Sequence, residues 1–114
     1  MYYYKIEVLK VVDGDTVDVR IDLGFDVWHK SRVRLQGINA PESRTRDLEE
    51  KALGLAAKAR LIELLTDEKS DLEMQSFGVG KYGRVLGVIY KDKVNINDLL
   101  VKEGHATIYD GGKR

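Results

Sequence analysis

The clearest pattern along the chain is an alternation of apolar and polar residues in segment 17–23. A period of two predicts a β-strand with one buried face. The preceding segment, 3–12, is also strand-like, but its apolar phase slips between Val8 and Leu9, which predicts a β-bulge. Asp13-Gly14 is expected to join the two strands, because this dipeptide suits the positive backbone angles of a tight hairpin turn.

A third strand is predicted at residues 27–36, again from an alternating pattern. Arg32 and Arg34 fall on the face opposite to the apolar residues of this strand, since side chains alternate across a sheet. The pattern therefore predicts two arginines side by side on one sheet face. Trp28, near the start of the strand, is expected to lie partly in the core.

The period changes to that of a helix between residues 47 and 65. Apolar residues there recur at steps of three and four, which predicts one apolar helix face. The residues assigned to this face are Leu48, Ala52, Leu55, Ala56, Ala59 and Ile62. Gly54 is expected to weaken the helix slightly. A short second helix is predicted after Asn95, with Asp98 in a capping-box arrangement and Gly104 as its end.

Two further strands are predicted at residues 70–77 and 85–90, and the tail after His105 is expected to add one short strand. Three strands, a helix and two strands are the element order of an OB-fold. The predicted fold class is therefore mainly β with helices (α+β). It is a five-stranded Greek-key barrel with one helix between its third and fourth strands and a short C-terminal helix, all within a single domain, 1–114.

Composition limits the kinds of site and partner that the chain can have. It contains no cysteine, which excludes disulfides, thiolate metal sites and a cysteine nucleophile. Lysine plus arginine and aspartate plus glutamate both number 19, so any binding of phosphate must be local and not a property of a broadly basic surface. No apolar run is long enough to span a membrane, and no signal peptide is evident at the N-terminus. A cytoplasmic monomer is expected.

Four polar motifs stand out within this framework. They are Asp13-Gly14-Asp15-Thr16, Arg34, Ala40-Pro41-Glu42 and Lys81-Tyr82-Gly83-Arg84. Each alone is compatible with an ordinary turn, loop or solvated strand residue. Together they combine carboxylate and carbonyl oxygens, which suit a hard divalent cation, with two arginines, whose planar guanidinium groups bind phosphate oxygens. This combination is typical of phosphoryl transfer.

At these motifs the sequence resembles the staphylococcal nuclease (thermonuclease) family. Segments 11–17, 34–42 and 81–84 look like the three signature segments of that family, in the same order, and segment 94–106 is similar to its late helix. The resemblance covers nearly the whole chain, although the third, C-terminal helix of the best-known member is absent. Three spaced segments in order are far more specific than any single motif.

The resemblance implies a metal-dependent nuclease that hydrolyses phosphodiester bonds in DNA or RNA, single-stranded or frayed, and leaves 3'-phosphate ends. Asp15 would bind calcium, together with Asn39 and the backbone carbonyl of Ala40, and with support from Asp13. The catalytic residues implied are Arg34, Glu42 and Arg84, with Glu42 activating the attacking water and the arginines binding the phosphate. Those implied to contact the substrate are Lys81, Tyr82 and Tyr109.

Asn39 departs from the family pattern, in which the matching position is usually aspartate. Asparagine keeps an oxygen that can bind calcium but loses the negative charge, so a lower calcium affinity or the use of another divalent cation is expected. The alternative interpretation is a catalytically weakened OB-fold module that binds nucleic acid or a protein. Glu42 together with both arginines favours the enzyme, because a binding module does not need a water-activating carboxylate beside phosphate ligands.

Overall fold

A closed barrel of five strands forms the body of the computed structural model, which describes residues 3–66, 71–79 and 84–109. The barrel strands are β1 (Tyr3–Asp13), β2 (Thr16–Asp22), β3 (Trp28–Leu35), β5 (Leu72–Val79) and β6 (Val85–Lys91). The short strands are β4 (Ile38–Asn39), β7 (Val94–Asn95) and β8 (Thr107–Ile108), and the helices are α1 (Leu48–Leu65) and α2 (Ile96–Lys102).

The strands of the main sheet lie in the order β3-β2-β1-β5-β6-β7, and β3 also pairs with β6. This last pairing is parallel, whereas the others are antiparallel, and it closes the barrel. Helix α1 lies between the third and fourth barrel strands along the chain. The α+β OB-fold predicted from the element order is therefore confirmed.

The predicted bulge in β1 is present, because the pairing of β1 with β2 shifts register between Val8 and Lys10. The alternating faces of β2 and β3 are also confirmed. Val17, Val19 and Val33 are completely buried inside the barrel, which leaves the polar residues between them on the outer face.

Trp28 does not lie in the core, contrary to the expectation from its position at the start of β3. Its side chain is on the outer face, where the guanidinium of Arg20 lies 4.3 Å from the centre of its ring. Trp28 faces Asp22 across the β2–β3 pair, and Asp22 belongs to the polar set of β2. The sheet register therefore determines the direction of this side chain, and its apolar character does not.

Helix α1 forms where predicted, and Asp47 caps its N-terminus by accepting the backbone N–H groups of Glu49 and Glu50. The predicted buried face is wrong. The residues that face the core are Gly54, Ala57, Leu61, Leu64 and Leu65, whereas Leu48 and Leu55 are exposed. Apolar residues occur on all sides of this helix, so the period of its sequence is compatible with more than one buried face. The face that packs against the barrel is the one that carries Leu61, Leu64 and Leu65.

Gly14 is required for a reason other than the one predicted. The expected turn joins β1 and β2, but its two central residues are Gly14 and Asp15, one position later than predicted, and Gly14 does not have a positive φ. A Cβ atom at this position would lie 2.7 Å from the Cβ of Ala57 and 3.0 Å from that of Ala40. Gly14 therefore permits the turn to pack directly against helix α1.

Helix α2 begins after Asn95, whose side chain accepts the N–H of Asp98, and Gly104 follows its end with a φ of 82°, as predicted. The predicted C-terminal strand is β8, which pairs with β4. Neither helix in the described part of the chain combines the length and apolarity needed to cross a membrane.

A buried amide from α2 joins the two strands that close the barrel. Asn97, only 2% exposed, donates from Nδ2 to the carbonyl oxygens of Gln36 (2.9 Å) and Gly87 (3.2 Å). Its Oδ1 accepts the backbone N–H of Ile89 at 3.2 Å. The Gly87 carbonyl also accepts the backbone N–H of Gln36 at 2.8 Å, so Asn97 adds to a direct hydrogen bond at the closure and satisfies its own buried amide there.

The corrected helix face can be tested with two leucines of α1. Leu61→Ala removes a fully buried side chain and is expected to lower the free energy of unfolding by about 2–5 kcal/mol. Leu55→Ala, at a position 47% exposed, is expected to change it by less than about 0.5 kcal/mol. Urea denaturation measures both values. The reverse order would restore the face predicted from the sequence.

Candidate active site

Asp15 anchors the site in the turn between β1 and β2. Its carboxylate is largely buried and its two oxygens have different partners. Oδ2 accepts the backbone N–H of Ala40 at 2.9 Å, and Oδ1 accepts the hydroxyl of Thr16 at 3.0 Å. These bonds fix the carboxylate beside the segment that follows β4, so residues 15 and 40, which are distant in sequence, meet at one point.

The guanidinium of Arg34 is held next to this carboxylate. Its Nη1 donates to the carbonyl oxygens of Leu35 (2.9 Å) and Ile38 (2.7 Å), and its Nη2 donates to Asn39 Oδ1 (3.3 Å). Nη2 also lies 3.7 Å from Asp15 Oδ2. Three of the five N–H donors of the guanidinium thus make these hydrogen bonds, which fix its position before any ligand arrives.

The oxygens available to a cation at this point are those of Asp15, Asn39 and the backbone carbonyl of Ala40. Their chemistry fits calcium, which binds carboxylate, amide and carbonyl oxygens. Within the ranges that the structure describes, no three residues among His, Cys, Asp and Glu cluster closely enough to hold a metal ion. The site therefore offers one carboxylate supplemented by neutral oxygens, and Asn39 already accepts a hydrogen bond from Arg34.

Tyr109 lies beside Arg34, although it is 75 residues further along the chain. The β4–β8 pairing brings the tail back to the site, and the N–H of Tyr109 donates to the carbonyl oxygen of Gly37 at 2.8 Å. Its ring centre is 5.8 Å from the Arg34 guanidinium carbon. Lys81 and Tyr82, the other two residues expected to contact the substrate, lie outside the described residues.

Glu42 has an exposed side chain on a backbone that is tightly held. Its N–H donates to Oε2 of Glu50 in the first turn of α1, at 3.1 Å. Its carbonyl packs against Gly54, where an added Cβ would lie 2.3 Å from the Glu42 oxygen and 2.7 Å from the nitrogen of Ser43. Helix α1 thus fixes the main chain of Glu42.

Asp13 also fixes the segment that carries Glu42. Its Oδ1 accepts a short hydrogen bond from the hydroxyl of Ser43, a residue only 3% exposed. The guanidinium of Arg44 lies 4.0 Å from Oδ2. These contacts link the β1–β2 turn, which carries Asp15, to the loop that carries Glu42.

Arg84 lies immediately before β6 and is half-buried. The next residue, Val85, pairs with Val33 in the parallel register that closes the barrel, and Leu86 pairs with Arg34. The closure of the barrel therefore brings the main chain of Arg84 alongside the strand that carries Arg34.

Two residues that support the site were not predicted from the sequence. Ser43 and Glu50 hold other site residues through single hydrogen bonds, and their own positions in the sequence give no signal of this. Gly54 did give a signal, since a glycine in the middle of a helix commonly marks a close approach of another backbone. The expected weakening of the helix is not tested by the structure, whereas the close approach at Gly54 was not predicted.

Gly54→Ala tests the contact between α1 and the Glu42 segment. In an ordinary helix, alanine is favoured over glycine by about 1 kcal/mol. Here the new methyl group would collide with backbone atoms of residues 42 and 43, so we expect the free energy of unfolding to fall by about 1–3 kcal/mol. Chemical denaturation gives the sign, with the neighbouring exposed variant Leu53→Ala as control. A stabilised Gly54→Ala protein would show that the helix does not hold the segment.

Comparison with known proteins identifies relatives of this chain. A model of the family described as staphylococcal nuclease homologue matches residues 32–114. A micrococcal nuclease from Shigella flexneri is 34% identical over an alignment that covers 93% of this chain and 59% of the relative. A thermonuclease from Staphylococcus intermedius is also 34% identical, with 87% of this chain and 56% of the relative covered.

A third relative, an uncharacterized endonuclease from Haemophilus influenzae, is 35% identical over 90% of this chain and 51% of its own length. The chain thus spans between half and three fifths of the length of these three relatives. The matched region includes Arg34, Asn39, Glu42 and Arg84. On this evidence, the chain belongs to the staphylococcal nuclease family.

Proposed function

We propose that this chain is a calcium-dependent endonuclease that hydrolyses phosphodiester bonds in DNA or RNA and leaves 3'-phosphate ends. The observation that carries the proposal is the position of Arg34. Its guanidinium is fixed by backbone carbonyls beside the buried carboxylate of Asp15. Such a preorganised cation suits a phosphate that gains charge during the reaction. The nuclease relatives support the same conclusion.

The arginines act on the phosphate in this mechanism. Attack by water on phosphorus would break the bond to the 5'-oxygen, which leaves as a 5'-hydroxyl. The attack adds negative charge to the equatorial oxygens, so cations stabilise the transition state more than the ground state. Arg34 retains two N–H donors beyond its three hydrogen bonds to the protein, and a guanidinium can offer two parallel donors to a phosphate. Arg84 would bind the phosphate from the start of β6.

Glu42 is the general base in this mechanism and takes the proton of the attacking water. Its side chain is exposed, as access to solvent and substrate requires, while its main chain is held by Glu50 and Gly54. Because the backbone of Glu42 is already held, this residue loses less conformational freedom when its accessible carboxylate positions the water. Asp15, Asn39 and the Ala40 carbonyl would hold calcium, which supplies positive charge beside the phosphate.

The proposal is tested by cleavage of denatured DNA and of RNA by the purified protein, with calcium, with magnesium and with chelator. Calcium-dependent cleavage is expected. Glu42→Ala and Arg84→Ala should each lower kcat by about 10²–10⁴-fold, whereas Glu63→Ala, on a distant and exposed part of α1, should not. Cleavage that persists in Glu42→Ala would remove this residue from the mechanism. Absence of wild-type cleavage with every metal would overturn the proposal.

The second candidate function, a nucleic-acid-binding module, is favoured by one observation, the neutral Asn39 beside a single buried carboxylate. Binding of a labelled oligonucleotide, measured alongside its cleavage, distinguishes the two functions. A module that binds the oligonucleotide without cleaving it under any metal supports the second function.

Asn39→Asp tests the role of charge in metal binding. Aspartate would restore an anionic oxygen beside Asp15 and Arg34, so calcium affinity is expected to rise by about tenfold. Calorimetric titration with calcium, without substrate, measures this directly. Asn95→Asp adds the same charge at the N-cap of α2, where aspartate also caps well, and should leave the affinity unchanged. An equal affinity in wild type and Asn39→Asp would exclude residue 39 as a ligand.

A further inference from the structure

The outer face of β3 carries a regular row of side chains that ends at Arg34. Trp28, Lys30, Arg32 and Arg34 occupy alternate positions of the strand, on the face opposite to the buried Val33 and Leu35. Alternate residues of a strand lie about 6.8 Å apart. The row therefore extends about 20 Å from the candidate active site toward the β2–β3 hairpin.

The cations of this row are accessible. Lys30 is exposed and has no ion pair among the described residues. Arg32 is paired with Asp18 at 2.8 Å, but its side chain remains 52% exposed, and the Arg32 guanidinium lowers the pKa of the Asp18 carboxyl. Because Asp18 stays ionised, it holds Arg32 in place on the outer face. An anion in solution can therefore approach both Lys30 and Arg32.

The β2–β3 hairpin presents an aromatic residue at the far end of the row. Phe25 is fully exposed, and both Phe25 and Asp26 have positive φ values, 56° and 60°. A bulky residue in this conformation is a rare and strained choice, since glycine and asparagine are favoured there. Trp28 lies close by, stacked against Arg20 and still 38% exposed. Two aromatic surfaces thus meet solvent at this end.

On the other side of the candidate active site, the surface is acidic and would repel a chain of phosphates. A groove of about 530 Å³ lies on the α1 side of Ala40. Beyond Glu42 of the site itself, its acidic lining comes from Asp47, Glu49 and Glu50, which repel phosphates. The sign of the charges therefore directs an anionic polymer along β3 and away from α1.

We propose that the row Trp28, Lys30 and Arg32, together with Phe25, is a binding track for a single-stranded nucleic acid that continues from the phosphate at Arg34. Lys30 and Arg32 contact successive phosphates, and Phe25 and Trp28 stack on unpaired bases. Basic residues interleaved with aromatic ones are how single strands are bound without sequence preference. This inference rests on the proposed function, because it extends the substrate from the same site.

The track is tested by binding, without cleavage, in the presence of chelator. The probes are fluorescent oligothymidylates of 12 and of 3 nucleotides, the shorter being too short to reach Phe25 from Arg34. Phe25→Ala should weaken binding of the 12-mer by at least about fivefold. Lys30→Gln should weaken it as well and reduce the slope of log K against log salt by about 0.7. Both effects should be much smaller on the 3-mer.

Lys93→Gln is the matched control for Lys30→Gln, because it removes the same charge from the exposed turn between β6 and β7. It should not change the affinity for the 12-mer. A 12-base-pair duplex is the second control, since paired bases cannot stack on Phe25, and its affinity should be insensitive to Phe25→Ala. Equal effects of Phe25→Ala on single strand and duplex would overturn the stacking role.

The outcomes separate the track from the nuclease. If Phe25→Ala and Lys30→Gln bind the 12-mer as the wild type does, while calcium-dependent cleavage is observed, the track is wrong and the nuclease stands. If both variants weaken binding of the 12-mer selectively but no metal supports cleavage, the track stands and the nuclease is wrong. In an active enzyme, the ratio of kcat/KM for the 12-mer to that for the 3-mer should fall in both variants.

Discussion

The close approach of helix α1 to the barrel is the constraint on which the candidate active site depends. Two glycines make it possible, Gly14 in the β1–β2 turn and Gly54 in the helix, and in both cases the space for a Cβ atom is already filled. Since Gly14 adjoins Asp15 and Gly54 underlies Glu42, the same packing that buries Leu61 also sets the spacing between two carboxylates. The packing of the core therefore also determines the geometry of the candidate active site.

Arg34 connects that packing to the electrostatics of the site. Its bonds to main-chain carbonyls are independent of residue type at Leu35 and Ile38, so the backbone itself orients the charge. Among the residues that the structure describes, Asn39 is the only side chain that accepts a hydrogen bond from Arg34. A neutral acceptor leaves more of the positive charge of Arg34 uncompensated than a carboxylate would.

The sequence predicted the fold well, because the signals for its strands and helix ends are local. Alternation in β2, the phase slip in β1 and the cap at Asn95 each depend on a few neighbouring residues. The buried face of helix α1 and the face of the sheet on which Trp28 lies could not be predicted in the same way. Both depend on which surfaces meet in three dimensions, and an apolar residue at a given position does not specify its neighbour. The same limit applies to Ser43 and Glu50, which act through partners distant in sequence.

The hydrogen bonds of Asn97 at the barrel closure come from a late part of the chain. The closure between β3 and β6 is completed by the amide of a residue in α2, so the two edges lack this bridge until that helix has been synthesised and has docked. Arg34 lies on one of the strands that meet at this closure, and Arg84 immediately precedes the other. Because residue 97 is synthesised late, these contacts at the closure can form only after most of the chain has emerged from the ribosome.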